Sequence, residues 1–174
     1  MPWTPAGPAE DAAPAGARGI DDILAAARAR LRRVDAETAH LAHRAGAVLV
    51  DIRPAAQRAA TGTVPGALVV ERNVLEWRFD PRCAARLPIA DRYDLPVVVL
   101  CQEGYTSSLA AAALQDVGLH RATDVIGGFA AWRMAGLPAF GPTDVYARPF
   151  GIPVPPGAAP SMLVRPVGRT SVRF

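Results

Sequence analysis

Cys101 ends the apolar run PVVVLC (96–101), and the chain then passes through QEGYTSS into the alanine-rich run LAAAALQDVGL. A free cysteine is usually a small core residue. This one stands where a buried strand hands over to a helix, a position with chemistry of its own. A short strand-to-helix loop can curl so that successive backbone N–H groups converge, and such a nest, reinforced by the positive end of the following helix, binds anions. Gly104 tolerates the backbone angles such a curl needs, and the hydroxyls of Thr106, Ser107 and Ser108 are candidates to cap the helix. A thiolate is favoured in that setting, and the thiolate is the nucleophile. The same cradle suits an anionic persulfide, Cys–S–S⁻. No cluster of His and Cys has metal-ligand spacing, since His40, His43 and His120 are scattered, so neither a metal nor another cofactor is expected. Cys83 has no CxxC spacing to Cys101 and reads as an incidental thiol.

The elements that must position Cys101 follow from punctuation and periodicity. DDILAAARARLRR has acids at its start and arginines at its end, matching a helix dipole. Asp35 can cap a second helix, AETAHLAHRA, with Gly46 as its stop. AVLVDIR and ALVVE read as short buried strands and PAAQRAATG as a short helix or turn, while NVLEWRFDPRCAARLPIADRYD is mixed with some helix. PVVVLC is the clearest strand and SSLAAAALQDVGL the clearest helix. ATDVIGG is a last strand and FAAWRMAG a last helix, whose Phe129 and Trp132 are expected to pack against the sheet. Strands alternating with helices predict an α/β domain with a mainly parallel sheet. Ligands bind at the carboxyl ends of such strands. Cys101, Asp51 and Arg53 all fall at such ends, hence on one rim. Arg72, Trp77 and Arg78 lie in the mixed segment, where they could wall a pocket and meet an anion. Trp77 suits core equally well, and the two arginines suit the surface.

Composition narrows the function class. All 19 basic residues are arginine. Residues 1–140 hold 15 Arg against 15 Asp and Glu, so the net charge of +3 resides in the tail beyond them. A neutral body is a poor nucleic-acid binder. Two cysteines are too few for a disulfide framework. No apolar run approaches the roughly 18–20 residues that span a bilayer, and the start lacks the regions of a secretory signal. The expectation is a cytoplasmic protein with reduced thiols, bound to neither membrane nor nucleic acid. Residues 1–18 read as disordered, 19–33 as an extra helix that could cover an edge of the domain or mediate self-association, 34–140 as the domain, and 141–174 as a Pro/Gly-rich basic tail.

Three segments resemble rhodanese-homology domains, in the right order: VLVDIRPAAQRAATGTVPGALVV, CQEGYTSS and DVIGGFAAWRMAGLP. The resemblance implies a three-layer fold with a small, mainly parallel five-stranded sheet flanked by helices. It implies sulfur transfer through a persulfide on Cys101, from a small-molecule or protein donor to a thiol or cyanide-type acceptor. It implies that the backbone from Gln102 through Glu103, Gly104, Tyr105 and Thr106 to Ser107 cradles the sulfur, with Asp51 and Arg53 as buttresses. The sequence departs from the pattern at Thr63, where the family often has His, at Pro54, where an acidic residue commonly stands, and at Glu103, where thiosulfate-using members often carry a basic residue. Glu103 should repel a dianionic donor, so thiosulfate is expected to be poor. A Cys-x5-Arg phosphatase loop is disfavoured, because Ser107 occupies the arginine position. The rival to an enzyme is a non-catalytic binding or regulatory module on the same fold.

Overall fold

The computed structural model describes residues 13–141. The expected disordered start, up to residue 12, and the basic tail from residue 142 lie outside the described residues.

Four parallel strands form the sheet: β1 (Val48–Asp51), β2 (Leu68–Val69), β3 (Val97–Leu100) and β4 (Thr123–Asp124), in the order β2-β1-β3-β4. A parallel bridge between Val34 and Val125 continues the sheet beyond β4, so the fifth strand position is held by a single bridge. Every residue of β1 and β3 is buried, as expected for strands covered on both faces. Their side chains alternate between two cores. Val50, Val97 and Val99 pack with α4 (Leu75–Phe79) and α5 (Thr106–Asp116) through Leu75, Phe79, Ala111 and Leu114. Leu49, Val98 and Leu100 pack on the other face with α2 (Ala36–Arg44) and α6 (Gly128–Met134) through Ala39, Phe129 and Trp132.

After β1 the chain runs through α3 (Ala55–Thr61) to β2 on one side, then crosses to β3 on the other. The topological switch point therefore lies between the carboxyl ends of β1 and β3, where such sheets bind ligands. The helix expected over 19–33 is shorter: α1 (Ile20–Arg30) ends at Leu31, whose backbone is extended, and the chain then runs to the Val34 bridge. α1 packs on α5 and buries Leu24 and Ala27. Arg28, in its last turn, reaches the Gly104 carbonyl of the Cys101 loop. Asp35 caps α2 as expected, accepting from the Thr38 N–H at 2.7 Å. The carboxyl end of the domain is stitched back by an antiparallel bridge, with Thr63 and Phe140 exchanging N–H···O bonds of 2.8 Å.

Candidate active site

Cys101 is the first residue after β3 and is buried, 6% exposed. Its Sγ accepts from the Gly104 N–H at 3.2 Å and the Ser107 N–H at 3.3 Å, and its S–H donates to Ser107 Oγ at 3.2 Å. The sulfur thus takes the place of a side-chain cap on α5. The hydroxyls of Thr106, Ser107 and Ser108 do not cap that helix; Tyr105 occupies the cap position without a side-chain bond. Ser107 and Ser108 instead donate to the Asp124 carboxylate at 2.9 and 2.8 Å. The physical reason is that the sulfur already satisfies one orphan amide of the first turn, and a buried carboxylate needs hydroxyl donors more than the amide needs a second acceptor.

Loop carbonyls are turned away from the sulfur by named donors. The Cys101 and Gln102 carbonyls accept from the Phe129 and Ala130 N–H groups of α6, at 2.8 and 2.9 Å. That approach requires Gly128, since a Cβ there would collide with the Cys101 carbonyl oxygen. Gly104 has φ +78°. A Cβ on it would also lie 2.6 Å from the Gly127 nitrogen, so the residue is fixed as glycine twice over. All peptides here are trans, so each outward carbonyl sets an N–H facing the opposite way.

Arg53 and Asp51 form one buried ion pair. Both are 1% exposed. The guanidinium donates to Asp51 through Nε and Nη2, at 2.9 and 2.6 Å. It also donates to Thr61 Oγ1 at 2.9 Å, to Gln102 Oε1 at 3.0 Å and to the Gly62 carbonyl at 2.9 Å. All five of its N–H donors are used. Its carbon sits 3.9 Å from the centre of the Phe129 ring, a close cation–π contact. The Gln102 side chain is part of this network, while its backbone belongs to the loop.

The sulfur lies in the wall of a cavity of about 870 Å³, shared with Arg53, Gln57, Glu71, Arg72, Glu103, Tyr105 and Thr106 among others. Arg72 lines this cavity, with its guanidinium held by Glu76 at 2.7 Å. The Glu103 carboxylate has no hydrogen-bond or ion-pair partner among the described residues. Tyr105 stands at the mouth, 56% exposed. Trp77 is neither core nor cavity wall: it is 60% exposed on α4. Arg78 donates to the Ala85 carbonyl away from the cavity, and Cys83, in the turn after α4, does not line it. Among the described residues no group of three His, Cys, Asp or Glu could hold a metal, and no helix is long and apolar enough to cross a membrane.

Asp124, Arg28 and Arg33 escaped the sequence reading, as did the contact of Ser108 with the Asp124 carboxylate. Asp124 is fully buried on β4 and forms a bidentate pair with Arg33, at 2.7 and 3.0 Å. Arg28 and Arg33 both donate to the Gly104 carbonyl, at 2.9 and 3.1 Å. Arg28 also donates to Ser108 Oγ and lies over the Tyr105 ring. The available signal was an acid inside DVIGG and arginines on the last turn of the first helix, and nothing local joins residues 91 apart in the chain.

Comparison with known proteins agrees with this geometry. The family model for the rhodanese-like domain matches residues 35–135. A thiosulfate sulfurtransferase GlpE from Stutzerimonas stutzeri is 35% identical over 102 residues, 59% of this chain and 84% of that protein. A sulfurtransferase from Allochromatium vinosum is 32% identical over 114 residues, 64% of this chain and 97% of that protein. Among solved structures, a Rhodopseudomonas palustris protein described as of unknown function and a possible tyrosine phosphatase is 33% identical with a TM-score of 0.66, over 80% of this chain and 99% of that one. The polysulfide-sulfur transferase homodimer of Wolinella succinogenes, 19% identical with a TM-score of 0.56 over 72% of this chain and 90% of that one, shares the fold. The fold, the loop and the matched span lead to one statement: the chain belongs to the rhodanese-like domain family.

Proposed function

We propose that the protein is a sulfurtransferase that carries sulfane sulfur on Cys101. The observation that carries this reading is a buried sulfur held by two backbone N–H groups at the head of α5, facing a cavity. In the first step the Cys101 thiolate attacks the sulfane sulfur of a donor. A Cys–S–S bond forms, the donor's own bond to that sulfur breaks, and the electron pair leaves with sulfite or a thiolate. In the second step a thiol, a protein cysteine or cyanide attacks the outer sulfur, and Cys101 leaves as thiolate. This is ping-pong covalent catalysis. The relatives named as sulfurtransferases support it.

Phosphatase chemistry needs a guanidinium six residues after the cysteine to hold the phosphoryl oxygens. Ser107 stands there, turned to the sulfur and to a carboxylate.

Donor choice follows from charge. Glu103 and Glu71 line the cavity; Arg53 and Arg72, its two guanidiniums, already serve Asp51 and Glu76, and Glu71 faces Arg58 at 3.8 Å, which leaves Glu103, among the described residues, as the carboxylate without a counter-charge. An organic persulfide therefore suits the cavity better than thiosulfate, through like-charge repulsion of the dianion. The test is intact mass after incubation with thiosulfate or with a cysteine-derived persulfide, for wild type, Cys101→Ser, Cys83→Ser and Glu103→Arg. A gain of about 32 Da, absent only in Cys101→Ser, is expected with the persulfide, and Glu103→Arg is expected to speed loading by thiosulfate. No adduct on a folded protein with either donor would replace the enzyme by a binding module. Unchanged thiosulfate loading in Glu103→Arg would remove the electrostatic account of donor choice.

A further inference from the structure

The helix that precedes the family-matched span reaches the active-site loop from behind. Arg28 and Arg33 lie before residue 35, where the family match begins. Their guanidiniums converge on one acceptor, the Gly104 carbonyl. The N–H of that same residue donates to Cys101 Sγ. Because the Gly104–Tyr105 peptide is trans, drawing its carbonyl toward α1 turns the Tyr105 N–H away from α1. Arg33 also forms the bidentate pair with Asp124, whose carboxylate holds the hydroxyl of Ser107, and that hydroxyl oxygen touches Sγ. A buried carboxylate so close to a nucleophilic sulfur would disfavour its anion unless balanced by an adjacent cation.

We propose that Arg28 and Arg33 are positioning residues of the sulfur-carrying loop: Arg28 and Arg33 hold the Gly104–Tyr105 peptide with its N–H turned into the cradle, and Arg33 balances Asp124 so that Ser107 serves the sulfur without adding net negative charge. The proposal rests on Cys101 being the reactive thiol and extends the working site beyond the domain that the family model delimits. Neither arginine touches substrate. Each acts through the loop or through Asp124.

The charged groups around the sulfur come from every neighbouring element: Asp51 at the end of β1 and Arg53 beyond it, Glu103 in the loop, Asp124 on β4, Arg28 and Arg33 from α1 and its exit, and Glu71 and Arg72 across the cavity. The experiment alters only the α1 and β4 members. In a Cys83→Ser background, Cys101 is alkylated with iodoacetamide across a range of pH and followed by intact mass. Arg28→Gln and Arg33→Gln are expected to move the midpoint of the profile to higher pH, slowing alkylation near neutrality by roughly threefold or more. Asp124→Asn is expected to move it to lower pH, and the double variant Arg33→Gln/Asp124→Asn to return it toward wild type. Arg33→Lys, which keeps the charge and loses the bidentate fork, should restore part of the shift.

A structural role alone gives no opposite signs for the two partners of one ion pair. An unmoved midpoint in both Arg28→Gln and Arg33→Gln, or movement of Asp124→Asn in the same direction as Arg33→Gln, would overturn the proposal. Should Arg33→Gln fail to fold, Arg28→Gln and Asp124→Asn decide the matter: the proposal requires the first to move the midpoint up and the second to move it down. Alkylation needs only the thiol, so failure of sulfur loading and failure of this proposal read out separately.

Discussion

Two buried Asp–Arg pairs flank Cys101, each with its aspartate at the carboxyl end of a strand that neighbours β3. On the β1 side, Asp51 and Arg53 are two residues apart and both fully enclosed. On the β4 side, Asp124 is enclosed but Arg33 arrives from 91 residues away and keeps a side chain 16% exposed. The first pair is a closed unit whose remaining donors brace Thr61, Gln102 and Gly62. The second is a bridge between a separate helix and the reactive loop. The difference teaches that the same chemical pair can serve as a rigid strut or as a joint, according to whether its partners are near neighbours in the chain or meet only through packing.

Removing the guanidinium from each pair separates these roles. Arg53→Ala leaves Asp51 without a counter-charge in a dry site and should cost about 3–5 kcal/mol, read as a lower midpoint of urea denaturation; sulfur loading should fall with the folded fraction. If stability were unchanged, the strut description would be wrong. Arg33→Ala should cost less, about 1–3 kcal/mol, because water can reach Asp124 along the path the guanidinium vacates. Its loading rate per folded molecule should drop while that of Arg53→Ala need not. Equal costs for the two would erase the distinction drawn from their exposure.

The smallest effect belongs to a third carboxylate nearby. Asp35, exposed at the head of α2, is held below the usual carboxylate range by the backbone hydrogen bond from Thr38. A depressed folded value contributes stability above the ordinary carboxylate range, which is lost as pH falls through the folded value. The melting temperature of Asp35→Ala should therefore lie slightly below wild type at neutral pH, and the gap should narrow below about pH 4. A gap that widened on acidification would contradict the capping geometry.

The contrast between the pairs also shows what sequence makes visible. Asp51-x-Arg53 could be read because its two members sit at the end of an apolar run, and a strand end fixes where they go. Cys101 could be read for the same reason. α5 was legible as a helix, but the direction of its serine hydroxyls was not, since that depends on a carboxylate brought alongside by β4. Trp77 could be placed neither in the core nor at the cavity, because an isolated aromatic in a mixed segment carries no periodicity to assign its face. The sheet was legible as parallel from the alternation of elements. Its order, and the reduction of the outermost strand to the Val34 bridge, follow from long-range pairing that no local pattern encodes.

The bridge between Thr63 and Phe140 has a mechanical consequence. Gly141, the last described residue, is one residue past that bridge, and Gly62, whose carbonyl accepts from Arg53, is one residue before it on the other side. Tension applied at Gly141 is therefore borne by the two hydrogen bonds between Thr63 and Phe140, and whatever strain passes them arrives at the Arg53 strut. The loop that holds the sulfur is, in this sense, in series with the end of the domain: a tether attached there would pull on the buttress of Cys101 rather than on a remote surface.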